Sequence, residues 1–236
     1  MGEIREELDR CAALAREGRR AEAEAVAEVL TAEQPDEGQG WVALGLLRYQ
    51  RRWLFGATAA LETAATLVPL DPPTRLVLAE CFARTGLPAL AKHVYEALAA
   101  DPTLPDALLP PVAAGLGHIG EFGPALGACL ELTRRDPMLP EAHFGVAFYL
   151  RKLGRSPASI LPIVARAHDL APAVPLYRVS LATLLDHVGR RDEARELLRG
   201  LDLDAVSCRG CIRRMATIFA NPVEPGAAEP GPAPSA

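Results

Sequence analysis

The chain has 236 residues, half of them hydrophobic but only 5% aromatic, so its apolar content is mostly Ala, Leu and Val. That mixture favours helix over strand, and no 18-residue apolar run is free of charge, which excludes a membrane-spanning helix. The net charge of −5 comes from 25 basic and 30 acidic residues, without the basic excess that a nucleic-acid partner would require.

From the N-terminus, MGEIREELDR is too charged for the apolar stretch of a secretory signal. Glu6 stands where a myristoylation site needs Ser or Thr. A cytoplasmic location is therefore the default expectation. Basic residues are almost all Arg, with Lys only at Lys92 and Lys152, and with so much Ala, Gly and Pro this suggests a GC-rich, bacterial coding sequence. Charge is unevenly placed: residues 1–36 hold ten acids and five bases, whereas residues 134–214 hold fourteen bases and nine acids. Solvated helix faces account for this bias; head-to-tail self-association or a polarised partner is the other reading.

Prolines recur at Pro35, Pro69, Pro102, Pro137 and Pro172, in steps of 33 to 35 residues. Each closes an Ala/Leu-rich run. Midway between them, Gly18, Gly86, Gly120, Gly154 and Gly189 each end one helical run and precede another, as a left-handed C-terminal residue does. Arg52 occupies that place in the second unit, so its turn is less ideal. Small residues follow at one phase: Ala23, Ala57, Ala91, Ala125 and Ala194, with Ser159 in the fifth unit. Each unit thus reads as helix, tight turn, helix and proline-marked link. One such pair cannot bury its own apolar face, so pairs must stack.

The second unit carries Trp41, Leu44, Gly45, Ala57, Leu61, Ala64 and Pro69, and its WVALG segment resembles the W-x-x-L-G of the tetratricopeptide repeat. Six units are placed at 4–37, 38–71, 72–104, 105–138, 139–173 and 174–203. Residues 204–220 read as a capping helix with Ile212, Met215, Ile218 and Phe219 on its apolar face. Residues 221–236, rich in Pro, Gly and Ala, read as a disordered tail. The resemblance implies an all-α, right-handed superhelical solenoid of about six helix pairs plus that C-terminal capping helix.

The resemblance also implies that the first helix of each unit lines a concave groove. Its phase selects Leu8, Ala12 and Ala15; Val42, Leu46 and Tyr49; Leu76, Glu80 and Arg84; Ala114 and His118; Phe144, Phe148 and Arg151; and Val179, Thr183 and Asp186. Tyr49, Leu46, Arg84, Phe144, Phe148 and Arg151 are the leading partner-binding candidates, because aromatics and Arg dominate interface energetics. Lys and Asn pairs by which some family members grip a terminal carboxylate are replaced here by Leu8, Ala12, Ala43, Pro73 and Val77.

Three local features stand outside the repeat rule. Pro110 and Pro111 delay the first helix of the fourth unit to near Pro111. Gly115, Gly117, Gly120, Gly123 and Gly127 follow, serving either close helix packing or a bend. Pro162, inside the second helix of the fifth unit, should bend it, with Ser156–Pro157 as cap and first turn. Cys11, Cys81 and Cys129 fall on packing positions. Cys208-Arg-Gly-Cys211 places two thiols on one helix face, as free or packed thiols, a redox pair or half of a metal site. No nucleotide loop or catalytic motif occurs, and the five histidines follow no repeat phase.

The expected function is a non-enzymatic, cofactor-free adaptor or scaffold that binds a protein or peptide in the groove. The alternatives are a secretion-type chaperone for one apolar client, or a thiol- or metal-dependent module using Cys208 and Cys211.

Overall fold

Six tight turns set the architecture. Gly18, Gly86, Gly120, Gly154 and Gly189 all have φ between +74° and +85°, the left-handed region where a missing Cβ removes the steric cost. The residue after each donates its N–H five residues back: Arg19 to Leu14, Leu87 to Phe82, Glu121 to Leu116, Arg155 to Leu150 and Arg190 to Leu185, at 2.8–3.0 Å. This closes each first helix by satisfying a carbonyl that the helix itself leaves open. The second unit makes the same bond, Trp53 N–H to Leu47's neighbour Arg48, at 3.0 Å, but with Arg52 forced to φ +66°.

The computed structural model describes the backbone of residues 2–201 and 209–220, and side chains within that set except at 2, 3, 211 and 220. Among the described residues there are thirteen α-helices and no strand. They pair as α1 (Gly2–Arg16) with α2 (Arg20–Glu33), α3 (Gly38–Gln50) with α4 (Leu54–Leu67), and α5 (Pro72–Arg84) with α6 (Pro88–Ala99). Next come α7 (Leu109–His118) with α8 (Phe122–Arg135), α9 (Pro140–Lys152) with α10 (Pro157–Leu170), and α11 (Pro175–His187) with α12 (Arg191–Leu198). A final helix, α13 (Arg209–Ala220), follows. Contacts divide the six repeats and the last helix between two compact units, the first unit Met1–Pro137 with α1–α8 and the second unit Met138–Ala236 with α9–α13.

Within a pair, small residues set the spacing. Ala23, Ala57, Ala91, Ala125 and Ala194 are completely buried. Each methyl contributes only about 0.8 kcal/mol by its own burial; its larger effect is to let neighbouring Leu side chains close over the seam. A Cβ on Gly45 would lie 2.5 Å from Leu61 Cγ, so α3 and α4 approach too closely for any other residue there. The fifth unit departs from this phase. Its turn is one residue longer: Ser156 caps α10 by accepting from the Ser159 N–H, and Pro157 opens the helix. The extra residue turns Ser159 outward and puts Ile160, 2% exposed, in the seam, so the expected small residue at 159 does not serve there.

In the first unit, Glu24 is buried and joins α2 to α3 by accepting from Arg48 Nε at 3.3 Å and from Arg51. The Arg48 guanidinium also lies 4.4 Å above the Trp53 ring, which packs flat against Gly56. These contacts brace the turn that holds Arg52 in its strained conformation.

The irregular segment resolves into a 3-10 turn at Asp106–Leu108 and a short α7 that begins at Leu109, two residues before the expected start. Pro110 and Pro111 sit in its first turn, where a missing N–H costs no helical bond. Of its glycines, Gly115 is required by packing: a Cβ there would lie 2.2 Å from Tyr95 Cζ. Gly123 and Gly127 have nothing within 4 Å of the Cβ position. Helix α10 runs from Pro157 to Leu170 with Pro162 inside it.

In the second unit, the core joins Val164, Val179, Leu181, Leu185 and Leu198 to Met215 and Ile218 of α13. The capping face is narrower than expected, because Ile212 and Phe219 are 37% and 52% exposed. The expected tail at 221–236 and the start of the cap at 204–208 lie outside the described residues.

Candidate functional site

The leading candidates fall into two places, one in each unit. In the first unit, Tyr49 on α3 meets Glu80 and Arg84 on α5. The Tyr49 hydroxyl donates to Glu80 Oε2 at 2.6 Å, and Arg84 Nη1 donates to Glu80 Oε1 at 3.1 Å. Burial, then the hydrogen bond to the Glu80 carboxylate, pushes the Tyr49 phenol up to about 12. Leu46, one turn before Tyr49, is half-buried. The polar tips of Tyr49 and Arg84 are thus committed to an intramolecular carboxylate, and a ligand there would have to compete with it.

In the second unit, Phe144, Phe148 and Arg151 succeed one another along α9 at helical spacing and line one groove of about 600 Å³. Phe144 packs on Tyr177 of α11 with ring centroids 4.9 Å apart, which fixes its ring. Phe148 is 37% exposed, edge-on to Tyr149, with the Arg151 guanidinium 5.7 Å from its ring centre. The floor is apolar: Ala147 from α9, Ile160 and Val164 from α10, and Leu176 and Leu184 from α11. Arg155, His187 and Arg214 complete the basic side of the wall.

Sequence phase misplaced part of α11. Val179 and Asp186 were expected in the groove beside Thr183. Instead Val179 is completely buried in the cluster with Met215 and Ile218, because α13 packs on that face of α11. Asp186 pairs with Arg191 Nε at 2.5 Å. The stripe that does line the groove is Leu176, Ser180, Thr183 and His187, the flank of α11 turned towards α9. Its spacing of four, three and four residues is visible in the sequence; which flank faces the groove is not. Arg155 and Arg214 carried no sequence signal beyond their charge.

The described thiols are free and buried, in surroundings that favour the protonated form. Cys81 and Cys129 are buried, and desolvation pushes both up to about 11; Cys11 is raised for the same reason. Cys208 and the Cys211 side chain lie outside the described residues, so the redox and metal readings of that pair are not addressed by this geometry.

No protein-family model matches the chain, and no curated protein matches it in sequence. Solved structures do match. A tetratricopeptide repeat protein from Parabacteroides merdae superposes with a TM-score of 0.70 at 12% identity, covering 93% of this chain and 87% of that one. PilW, a widely conserved type IV pilus biogenesis factor, gives 0.63 at 14% identity over 90% and 98% of the two chains. YrrB, a repeat protein with an unusual peptide-binding site, gives 0.61 at 14% identity over 81% and 97%. The chain has the tetratricopeptide-repeat fold. At these identities the likeness establishes the repeat architecture, while the residues of each groove are the chain's own. No helix among the described residues of the repeat array is long and apolar enough to cross a membrane.

Proposed function

We propose that this repeat protein is a non-enzymatic interaction adaptor, and that its second-unit groove holds an apolar segment of a partner protein. The observation that carries this reading is Phe148: a large aromatic left 37% exposed beside an apolar floor, where a hydrophobic side chain gains most by being covered. Leu176 of α11, 41% exposed in the same groove, offers a second anchor. The peptide-binding site of YrrB, a protein of the same fold, supports the same mode of action. Tyr49, Leu46 and Arg84 belong to a secondary surface, because Glu80 already satisfies Tyr49 and Arg84.

The test is capture of partners by the wild type and by a Phe148→Ala, Leu176→Ala variant, with circular dichroism to check folding. Both side chains are partly exposed, so the variant should melt close to wild type while losing its specific partners. Identical partner sets from both proteins would remove the groove from the mechanism. One stoichiometric client would point to a chaperone, and several partners to a scaffold.

A further inference from the structure

We propose that the second-unit groove selects a protein segment that combines apolar side chains with carboxylates. The inference rests on the docking reading above and adds the charge of the partner. Arg151 comes from the last turn of α9, Arg155 from the turn before α10, and Arg214 from α13, yet all three line one groove. None of the described residues lining that groove is acidic. The acid closest to the groove along α11, Asp186, is taken by Arg191. Among the described residues, Arg151, Arg155 and Arg214 make no ion pair, as several other surface arginines do not; what sets these three apart is that they line one groove.

Guanidinium groups stay charged throughout the physiological range. Three of them line one apolar groove, so an arriving carboxylate meets attraction from more than one side. The floor and the exposed faces of Phe148 and Leu176 require apolar side chains at the same time, which a nucleic-acid backbone lacks. Apolar surface left open by the described residues, with a cationic rim that none of them pairs, therefore specifies an amphipathic, acidic protein segment.

The test uses three synthetic helical peptides with the same Leu and Phe positions, whose polar positions are all Glu, all Gln or all Lys. Binding to the full chain is followed by fluorescence polarisation between about 20 and 150 mM NaCl, a range over which exposed charge pairs are increasingly screened. The Glu peptide should bind about tenfold more tightly than the Gln peptide at low salt, and the Lys peptide most weakly. The gap should narrow as salt rises. An Arg151→Gln, Arg155→Gln, Arg214→Gln variant should bind the Glu and Gln peptides alike, whereas Phe148→Ala should weaken both.

Equal binding of the Glu and Gln peptides to wild type, lost in Phe148→Ala, would overturn the charge selection and leave the docking reading standing. Binding of neither peptide would overturn both. Two other occupants can be recognised in the same assay. If Glu224→Gln, Glu229→Gln in the full chain tightens Glu-peptide binding tenfold, the groove belongs to the chain's own tail. If mass doubles with protein concentration and reverts in the triple Gln variant, it belongs to a second copy. Either result would overturn the assignment to a partner.

Discussion

At Arg52 a side chain occupies the left-handed backbone region that glycine takes in the five equivalent turns. An L-residue there costs about 1–2 kcal/mol, partly offset by the greater chain entropy that glycine loses on folding. Arg52→Gly should therefore raise stability by about 0.5–1 kcal/mol, read as a higher urea midpoint with an unchanged slope. Tyr49 makes a second prediction at this scale. Its folded pKa of about 12 exceeds the ordinary phenol value of 10. Between these pH values the unfolded chain gives up the proton first. The contribution of Tyr49 is therefore intact below pH 10 and is lost as pH rises towards 12. Tyr49→Phe should flatten this alkaline loss of stability. Glu80→Gln should lower the Tyr49 midpoint in a phenolate absorbance titration, though not fully, because burial is the larger cause.

At the scale of elements, the fourth unit shows which irregularities are built in. Gly115 gives Tyr95 its place, so Gly115→Ala forces a buried ring to move and should cost about 1–3 kcal/mol. Gly127 lies inside α8 facing open space, so Gly127→Ala should instead stabilise by up to about 1 kcal/mol through helix propensity. Thermal melts of the two variants should move in opposite directions. Two shifts towards higher stability would mean that Tyr95 is free to yield. The fifth unit makes a related point. Its Gly154-Arg-Ser-Pro turn is one residue longer than the others, and this single residue exchanges Ser159 for Ile160 in the α9–α10 seam and brings Ile160 to the groove floor. The Ser-Pro pair that signals the cap was legible in the sequence; its effect on the phase of the next helix was carried past by the regular spacing.

At the scale of the whole molecule, the second unit depends on α13. Met215 and Ile218 cover Val179 and Leu185 of α11, and the same helix brings Arg214 to the groove. Met215→Asp places an unpaired carboxylate in that contact and should cost about 3 kcal/mol or more. It should also reduce Glu-peptide binding, because undocking α13 removes Arg214 from the wall. A variant with wild-type melting and binding would show that α13 is dispensable to both.

The sequence by itself determined the repeat, the all-α class, the left-handed turns and the alanine seams. Each follows from local properties: helix propensity, the φ freedom of glycine, the missing N–H of proline, and the spacing of small side chains within one helix. Helical spacing put Phe144, Phe148 and Arg151 on one face of one helix, and the resemblance to the tetratricopeptide repeat implied that this face lines the groove. Only the tertiary structure decided that Val179 belongs to the core, that Glu80 occupies Tyr49 and Arg84, and that Arg155 and Arg214 join Arg151. Those outcomes depend on which flank of a helix meets its neighbour and on where the last helix docks. Both are set by packing between residues far apart in the chain, which spacing along a single helix does not encode.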